Sequence, residues 1–228
     1  MVATLGMYGW PLKTWTGQYW GEVLSINFIE TALTGVFEIV PGYVENEHSL
    51  NMEVFRKRAF EERGLPTDWV QCNQILSRKK GALRGLHYQR PPLAQAKLIR
   101  VVTGTIFDVA VDVRQGSPSC ASWTGLVISA EKGNQLLIPT GFAHGFLTLQ
   151  PNTKVIIKAT APYSGEYDRA IHYNDPEIGI DWPLDGETPI LSTKDAGAKL
   201  LKEQDTGFAY SGNDARQGGE YAGSRPAD

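Results

Sequence analysis

The chain has 228 residues, 42% of them hydrophobic and 21% charged, and a net charge of −3, which suits one large domain or two small ones with a sizeable core. That balance gives no reason to expect nucleic acid or an anionic membrane surface as partner. No apolar run reaches membrane-spanning length and no signal-peptide pattern opens the chain, while two cysteines, Cys72 and Cys120, read as reduced thiols in a cytoplasmic protein, a single bridge staying open.

Residues 1–30 follow no regular period. Trp10, Trp15 and Trp20 recur at a spacing that fits neither helix nor strand, among Gly6, Gly9, Gly17 and Gly21. They suit an irregular extension that packs aromatics on a neighbouring surface. Gly35–Val40 is the first predicted strand, closed by Pro41-Gly42. A helix is predicted near 54–63: Phe55 and Ala59 share a face, Lys57 and Glu61 can pair, and Gly64 and Pro66 end it.

After the helix the period changes to two. Trp69–Ser77, Lys97–Val102, Thr105–Val113, Trp123–Ser129, Gln135–Pro139, His144–Leu149 and Lys154–Thr160 all read as strands separated by short polar turns. In Thr105–Val113, Phe107, Val109, Val111 and Val113 share one face, and Asp108, Ala110 and Asp112 the other. Many short strands at such spacing predict an all-β sandwich or barrel of antiparallel sheets. A short helical stretch is expected before Leu201. Beyond about Gln204 the chain is rich in Gly, Asp, Ser and Arg with little to bury. The expected organisation is an extension over 1–30, one β domain over 31–203 and a disordered tail over 204–228, whose removal from about 205 onward should leave fold and activity intact.

The chemistry concentrates in Gly81–Lys97, which holds Arg84, His87 and Lys97. A permanently charged guanidinium near an imidazole suits an anionic ligand that needs proton chemistry. A plain hairpin with one structural histidine is the competing reading. Leu83 and Leu86 do not share a face under simple alternation.

Gly133, Pro139, Gly141 and His144 have the spacing of the second cupin motif, with Thr148 where that motif usually ends in asparagine. The place of the first motif holds His87-Tyr88-Gln89. Tyrosine and glutamine are poor substitutes for imidazole and carboxylate as ligands, so no metal site is expected.

The runs Gly81–Gln89, Ala96–Val102, Ile106–Val113, Ile138–Phe146 and Asn174–Pro183 resemble the dTDP-4-dehydrorhamnose 3,5-epimerase family over about residues 35–200. The resemblance implies an all-β cupin jelly roll with a few short helices. It also implies a homodimer without metal or other cofactor, acting on a nucleotide-linked 4-keto-6-deoxyhexose in deoxysugar and cell-surface polysaccharide biosynthesis. Carried over residue by residue, the catalytic base falls on His87, its carboxylate partner on Asp195, the acid on Tyr163 and the lysine near the reacting carbonyl on Lys97. Arg84, Gln71, Asn73, Glu53, His144, Asp168 and Lys194 match substrate contacts. His48 stands where the family commonly has a diphosphate-binding arginine, and Ile157 where some members have a second tyrosine. A nucleotide-sugar ketoisomerase of the same fold and a non-catalytic sugar-binding jelly roll are the alternatives.

Overall fold

The computed structural model describes residues 24–211. The tryptophan-rich part of the extension and residues 212–228 lie outside them. Two antiparallel sheets face each other. The first has six strands in the order β1 (Asn27–Glu30), β2 (Phe37–Val40), β10 (Gln135–Ile138), β7 (Lys97–Thr103), β12 (Thr153–Ala159) and β5 (Gln71–Ser77). The second has five, in the order β13 (Asp168–Ala170), β6 (Leu83–Gln89), β11 (Phe142–Thr148), β8 (Thr105–Asp112) and β9 (Trp123–Ser129). A separate hairpin joins β3 (Tyr43–Glu45) to β4 (Leu50–Met52). This is the expected jelly roll, with the predicted strands displaced by a residue or two at their ends. The strands β1, β3, β4 and β13, each of three or four residues, are too short for alternation to reveal.

The inner faces of the two sheets form one core, including Ile99, Val101, Ile106, Ala110, Leu136, Ile138, Phe142, Phe146 and Val155. Because side chains alternate along a strand, the core positions also identify which polar residues point inward. Lys97 precedes Ile99 and Val101, Asp108 lies between Ile106 and Ala110, and His144 between Phe142 and Phe146. Gln71 and Asn73 lead to Ile75 in the same way. Titratable and amide side chains are therefore set into the same interior as the apolar core, Asp108 and His144 directly among its members.

Both faces of β8 are buried. Val109, Val111 and Val113 belong to a second core with Leu83, Leu86, Tyr88, Ile171, Ile178, Trp182 and Leu201, which covers the outside of the five-stranded sheet. A third core packs Phe60 of α1 (Lys57–Glu61) with Ile39, Leu98 and Leu137 outside the other sheet. The predicted Lys57–Glu61 pair forms at 3.6 Å, and Gly64, at φ +64°, ends the helix.

The register of β6 against β11 shifts between His144 and Phe146: His144 faces His87, but Phe146 faces Arg84. The extra residue sits at Gly85, whose φ is +112°. Such a bulge reverses the facing of everything beyond it. It puts Leu83 and Leu86 together in the outer core and Arg84 and His87 together on the inner side, which simple alternation forbids. A Cβ at Gly85 would lie 2.6 Å from both the Cα of Gly145 and the carbonyl oxygen of His144. We expect Gly85→Ala to cost about 3 kcal/mol or more, from backbone strain and the collision together. Denaturant unfolding of the variant checks this; an unchanged midpoint contradicts it.

Two expectations about the ends need correction. Residues 27–30, assigned to an irregular extension, form β1 because Asn27–Glu30 pair with Phe37–Val40. Residues 204–211, assigned to a disordered tail, dock on the second sheet. Gln115 N–H donates to Phe208 C=O and Tyr210 N–H to Gln115 C=O, each at 2.8 Å. Thr206, buried, donates its hydroxyl to Val113 C=O at 2.8 Å, and Asp205 pairs with Arg90 at 2.8 Å. Phe208 packs beside Tyr88 and Tyr210 lies under the Arg114 guanidinium. A few bonds and two aromatic rings suffice here although the local composition is polar. A chain ending at Gln204 should therefore be less stable by about 2–4 kcal/mol than one ending at Ser211. Equal melting temperatures for the two would restore the tail reading.

Candidate active site

Three elements bring the central pair together. The β6 bulge turns His87 inward. The Asn174–Pro183 segment wraps the outer face of the sheet, fixed by buried Asp175, which accepts from Leu201 N–H at 2.6 Å and Glu177 N–H at 2.9 Å, and by Trp182, whose indole donates to Tyr173 C=O at 2.9 Å. The wrap returns the chain to β6 as the short helix α2 (Thr193–Ala196). Its N-cap is Ser192, whose hydroxyl accepts from Asp195 N–H. Asp195 is thus aimed by its own cap.

His87 Nε2 lies 2.5 Å from Asp195 Oδ1, and Ser192 Oγ donates to Asp195 Oδ2 at 2.7 Å. Burial works to raise the Asp195 pKa, but the hydrogen bonds from His87 and Ser192 outweigh it and hold the carboxyl below its ordinary range. An ionised carboxylate only accepts, so Nε2 carries the proton and Nδ1 is left as the basic nitrogen. The side chain of His87 is 31% exposed, enough for a substrate to reach it, whereas that of Asp195 is 2% exposed.

Lys97 reaches the same place from the opposite sheet. Its Nζ donates to His87 C=O at 3.1 Å. Desolvation lowers its pKa to about 8, against the pull of Asp168 and Asp108. Behind His87, and opposite it in register, His144 Nε2 lies 2.7 Å from Asp108 Oδ1. Burial pushes Asp108 up and His144 down, so the enclosed pair is held toward its uncharged forms.

A third group lies at the rim. The Tyr163 hydroxyl donates to Asp168 Oδ2 at 3.1 Å, and Lys194 pairs with the same oxygen. The hydrogen bond to Asp168 raises the Tyr163 pKa, followed by that carboxylate's charge. Tyr163 is 60% exposed. Gln71 Oε1 accepts from Tyr163 N–H at 2.7 Å, which leaves the Gln71 amino group for a ligand. Arg84, on the inner side of the bulge, is exposed and forms no ion pair among the described residues. Asn73 is exposed on β5, across from Ile157 of β12.

Two predicted positions stay apart from this group in the bonds of the single chain. Glu53 pairs with Arg56, which also donates to Leu24 C=O at 2.6 Å. His48 sits in the β3–β4 turn with its ring 3.0 Å from Glu47, both side chains more than four-fifths exposed. Cys72 and Cys120 are free and exposed. No helix of the described residues is long and apolar enough to cross a membrane.

A base with a fixed tautomer beside a desolvated cation, with a phenol bonded to the Asp168 whose charge acts on that cation, suits proton abstraction beside a carbonyl. The family model for dTDP-4-dehydrorhamnose 3,5-epimerase matches residues 30–203. The chain belongs to that family. It is 48% identical over 158 residues to the dTDP-4-dehydrorhamnose 3,5-epimerase of Sinorhizobium fredii, an alignment spanning 69% of this chain and 80% of the relative. It is 46% identical over 180 residues to the enzyme of that name from Methanothermobacter thermautotrophicus, spanning 78% and 96%. Among solved structures, it is similar to the dTDP-6-deoxy-D-glucose-3,5-epimerase of Legionella pneumophila in complex with dTDP-4-keto-L-rhamnose. That match has a TM-score of 0.78 and 42% identity and covers 82% of this chain and all of the other. A double mutant of a 3'-monoepimerase from Streptomyces bikiniensis, in complex with dTDP, matches with a TM-score of 0.72 and 30% identity, covering 76% and 87%.

Within this family's site, the sequence left several supporting residues unrecognised. Ser192 could have been read from the Ser-x-x-Asp spacing of a helix cap. The bonds of Gln89 to the loop around Tyr163 carry no local sequence signal.

Proposed function

We propose that the protein is a carbohydrate epimerase acting on a dTDP-linked 4-keto-6-deoxyhexose, in deoxysugar biosynthesis for cell-surface polysaccharide. The observation that carries this reading is the His87–Asp195 pair, with Nδ1 free, beside a desolvated Lys97. The C4 ketone acidifies the hydrogens on C3 and C5. His87 Nδ1 removes one, and Asp195 stabilises the imidazolium that forms. Negative charge moves to the C4 oxygen, where the Lys97 ammonium meets it. Protonation from the opposite face inverts the centre, and Tyr163 supplies that proton. Arg84 takes the diphosphate, with Gln71, Asn73, Asp168 and Lys194 around the sugar and nucleotide and His144 enclosed behind His87. Glu53 and His48 serve the nucleotide across a homodimer, the assembly we favour, in the cytoplasm.

The acid needs particular argument. In the Streptomyces double mutant, the replaced histidine and tyrosine stand seventy positions apart. The same step from His87 reaches Ile157, an inward apolar side chain that packs against the core. Isoleucine has no proton to give, and Tyr163 is the phenol at the opening. If so, Tyr163→Phe should still exchange ring protons through His87 but return them to the original face. Deuterium incorporated with retained configuration supports the assignment; undiminished inversion contradicts it.

The reaction itself is tested by incubating the protein with dTDP-4-keto-6-deoxyglucose and following the sugar ring by NMR. Inversion at C3, C5 or both supports the epimerase. A carbonyl moved off C4 indicates a ketoisomerase, and an unchanged sugar a binding protein. Lys97 adds a pH signature. Its charge is lost as pH rises through about 8. The kcat/KM profile should therefore fall above that value, with an alkaline limb that is missing from the residual activity of Lys97→Met. A profile flat to pH 9.5 contradicts its role.

A further inference from the structure

We propose that Gln89 is a positioning residue for Tyr163, so that strand β6 sets both the base and the acid. The proposal rests on the assignment of Tyr163 as the proton donor. Gln89 is 3% exposed, and its amide brackets the tyrosine. Its Nε2 donates to Pro162 C=O at 3.1 Å and to Leu93 C=O at 2.6 Å, while its Oε1 accepts from Ser164 N–H at 2.7 Å. Gln71 on β5 accepts from the N–H of Tyr163 itself. Gln95 Nε2 donates to Ala161 C=O at 2.8 Å.

The segment 161–164 has left β12 and has no ladder partner, so its polar groups need other partners. Side chains from three places supply them. Gln89 is the member with consequences for chemistry, because it lies two residues after His87 on the same inward face. The distance from base to acid is thereby fixed by one strand and one buried amide rather than by the mobility of a loop. A misplacement of about 1 Å in such a constellation can cost roughly 10²-fold. The residue type matters as well. Glutamine donates and accepts at one site; ionised glutamate can accept from Ser164 but not donate to Pro162 or Leu93, and methionine of similar size does neither.

The test compares inversion with proton exchange in deuterated water, using dTDP-4-keto-6-deoxyglucose at saturation. A residue that merely supports the fold lowers both together. Gln89→Met should leave deuterium incorporation within about threefold of wild type and lower inversion by about tenfold or more, which is the direction expected for Tyr163→Phe. The double variant Gln89→Met/Tyr163→Phe should invert no more slowly than Tyr163→Phe alone, because both changes remove one function. Should Gln89→Met not fold, Gln89→Glu carries the same test, since it keeps the acceptor and removes both donors. A wild-type ratio of inversion to exchange in the Gln89 variant, with inversion lost in Tyr163→Phe, overturns the positioning role while sparing the acid. Normal inversion in Tyr163→Phe overturns the acid assignment, and the proposal with it.

Discussion

His87→Ala should lower turnover by roughly 10²–10⁴-fold, about 3–5 kcal/mol of barrier, and should remove exchange and inversion together. The loss is expected to be this large because no other described group offers an unprotonated nitrogen at the opening. The His144 ring is 5% exposed and its Nε2 faces Asp108. Lys97 is poorly suited to replace the base, since below about pH 8 it is protonated. The fold should survive, because His87 is partly exposed and contributes little packing. Substrate binding, measured by titration with the thymidine diphosphate sugar, should change by far less than turnover. A variant that retains exchange within tenfold of wild type would move the base elsewhere.

Asp195→Asn should come close to the same loss by a different route. The amide can present its NH₂ to His87, which favours the tautomer with a proton on Nδ1 and leaves no basic nitrogen toward the substrate. Loss of the carboxylate also removes the charge that stabilises the imidazolium. A fall of roughly 10²–10⁴-fold in kcat is expected, by analogy with other His–Asp pairs. Because the Asp195 carboxyl is held below its ordinary pKa by His87 and Ser192, the stability it adds is present at neutral pH. It is lost as pH falls through its depressed folded value. The variant should therefore lack that part of the acid-side stability change, as read by melting temperature against pH. A fully active Asp195→Asn would mean that orientation of His87 comes from elsewhere.

Much of the architecture was legible because inward and outward faces alternate cleanly along β8 and short polar turns separate the strands around it. Val109, Val111 and Val113 divide from Asp108 and Ala110 in the sequence just as they divide between two cores in the fold. The bulge at Gly85 was not legible, since one inserted residue leaves only a puzzling Leu83–Leu86 spacing. The short strands β3, β4 and β13 give no period to read. The docked segment 204–211 was hidden for a different reason. Its anchors, Thr206 and Phe208, lie among residues whose composition alone suggests solvation, and their partners at Val113, Gln115 and Tyr88 are distant in sequence. In the site, His87, Lys97 and Asp195 do converge. Tyr163 reaches the same rim through Asp168 and Lys194, a contact that its flanking residues do not announce. Glu53 and His48 stand apart because, among the described residues, the β3–β4 hairpin pairs only with itself.

The most direct measurement of the central claim is deuterium incorporation into dTDP-4-keto-6-deoxyglucose in deuterated water, with wild type and His87→Ala compared by NMR of the sugar ring. Abstraction by His87 beside the C4 ketone predicts solvent deuterium at C3, C5 or both, with inverted configuration, for wild type, and almost none for the variant. Inversion with the original hydrogens retained, or exchange undiminished in His87→Ala, would contradict it.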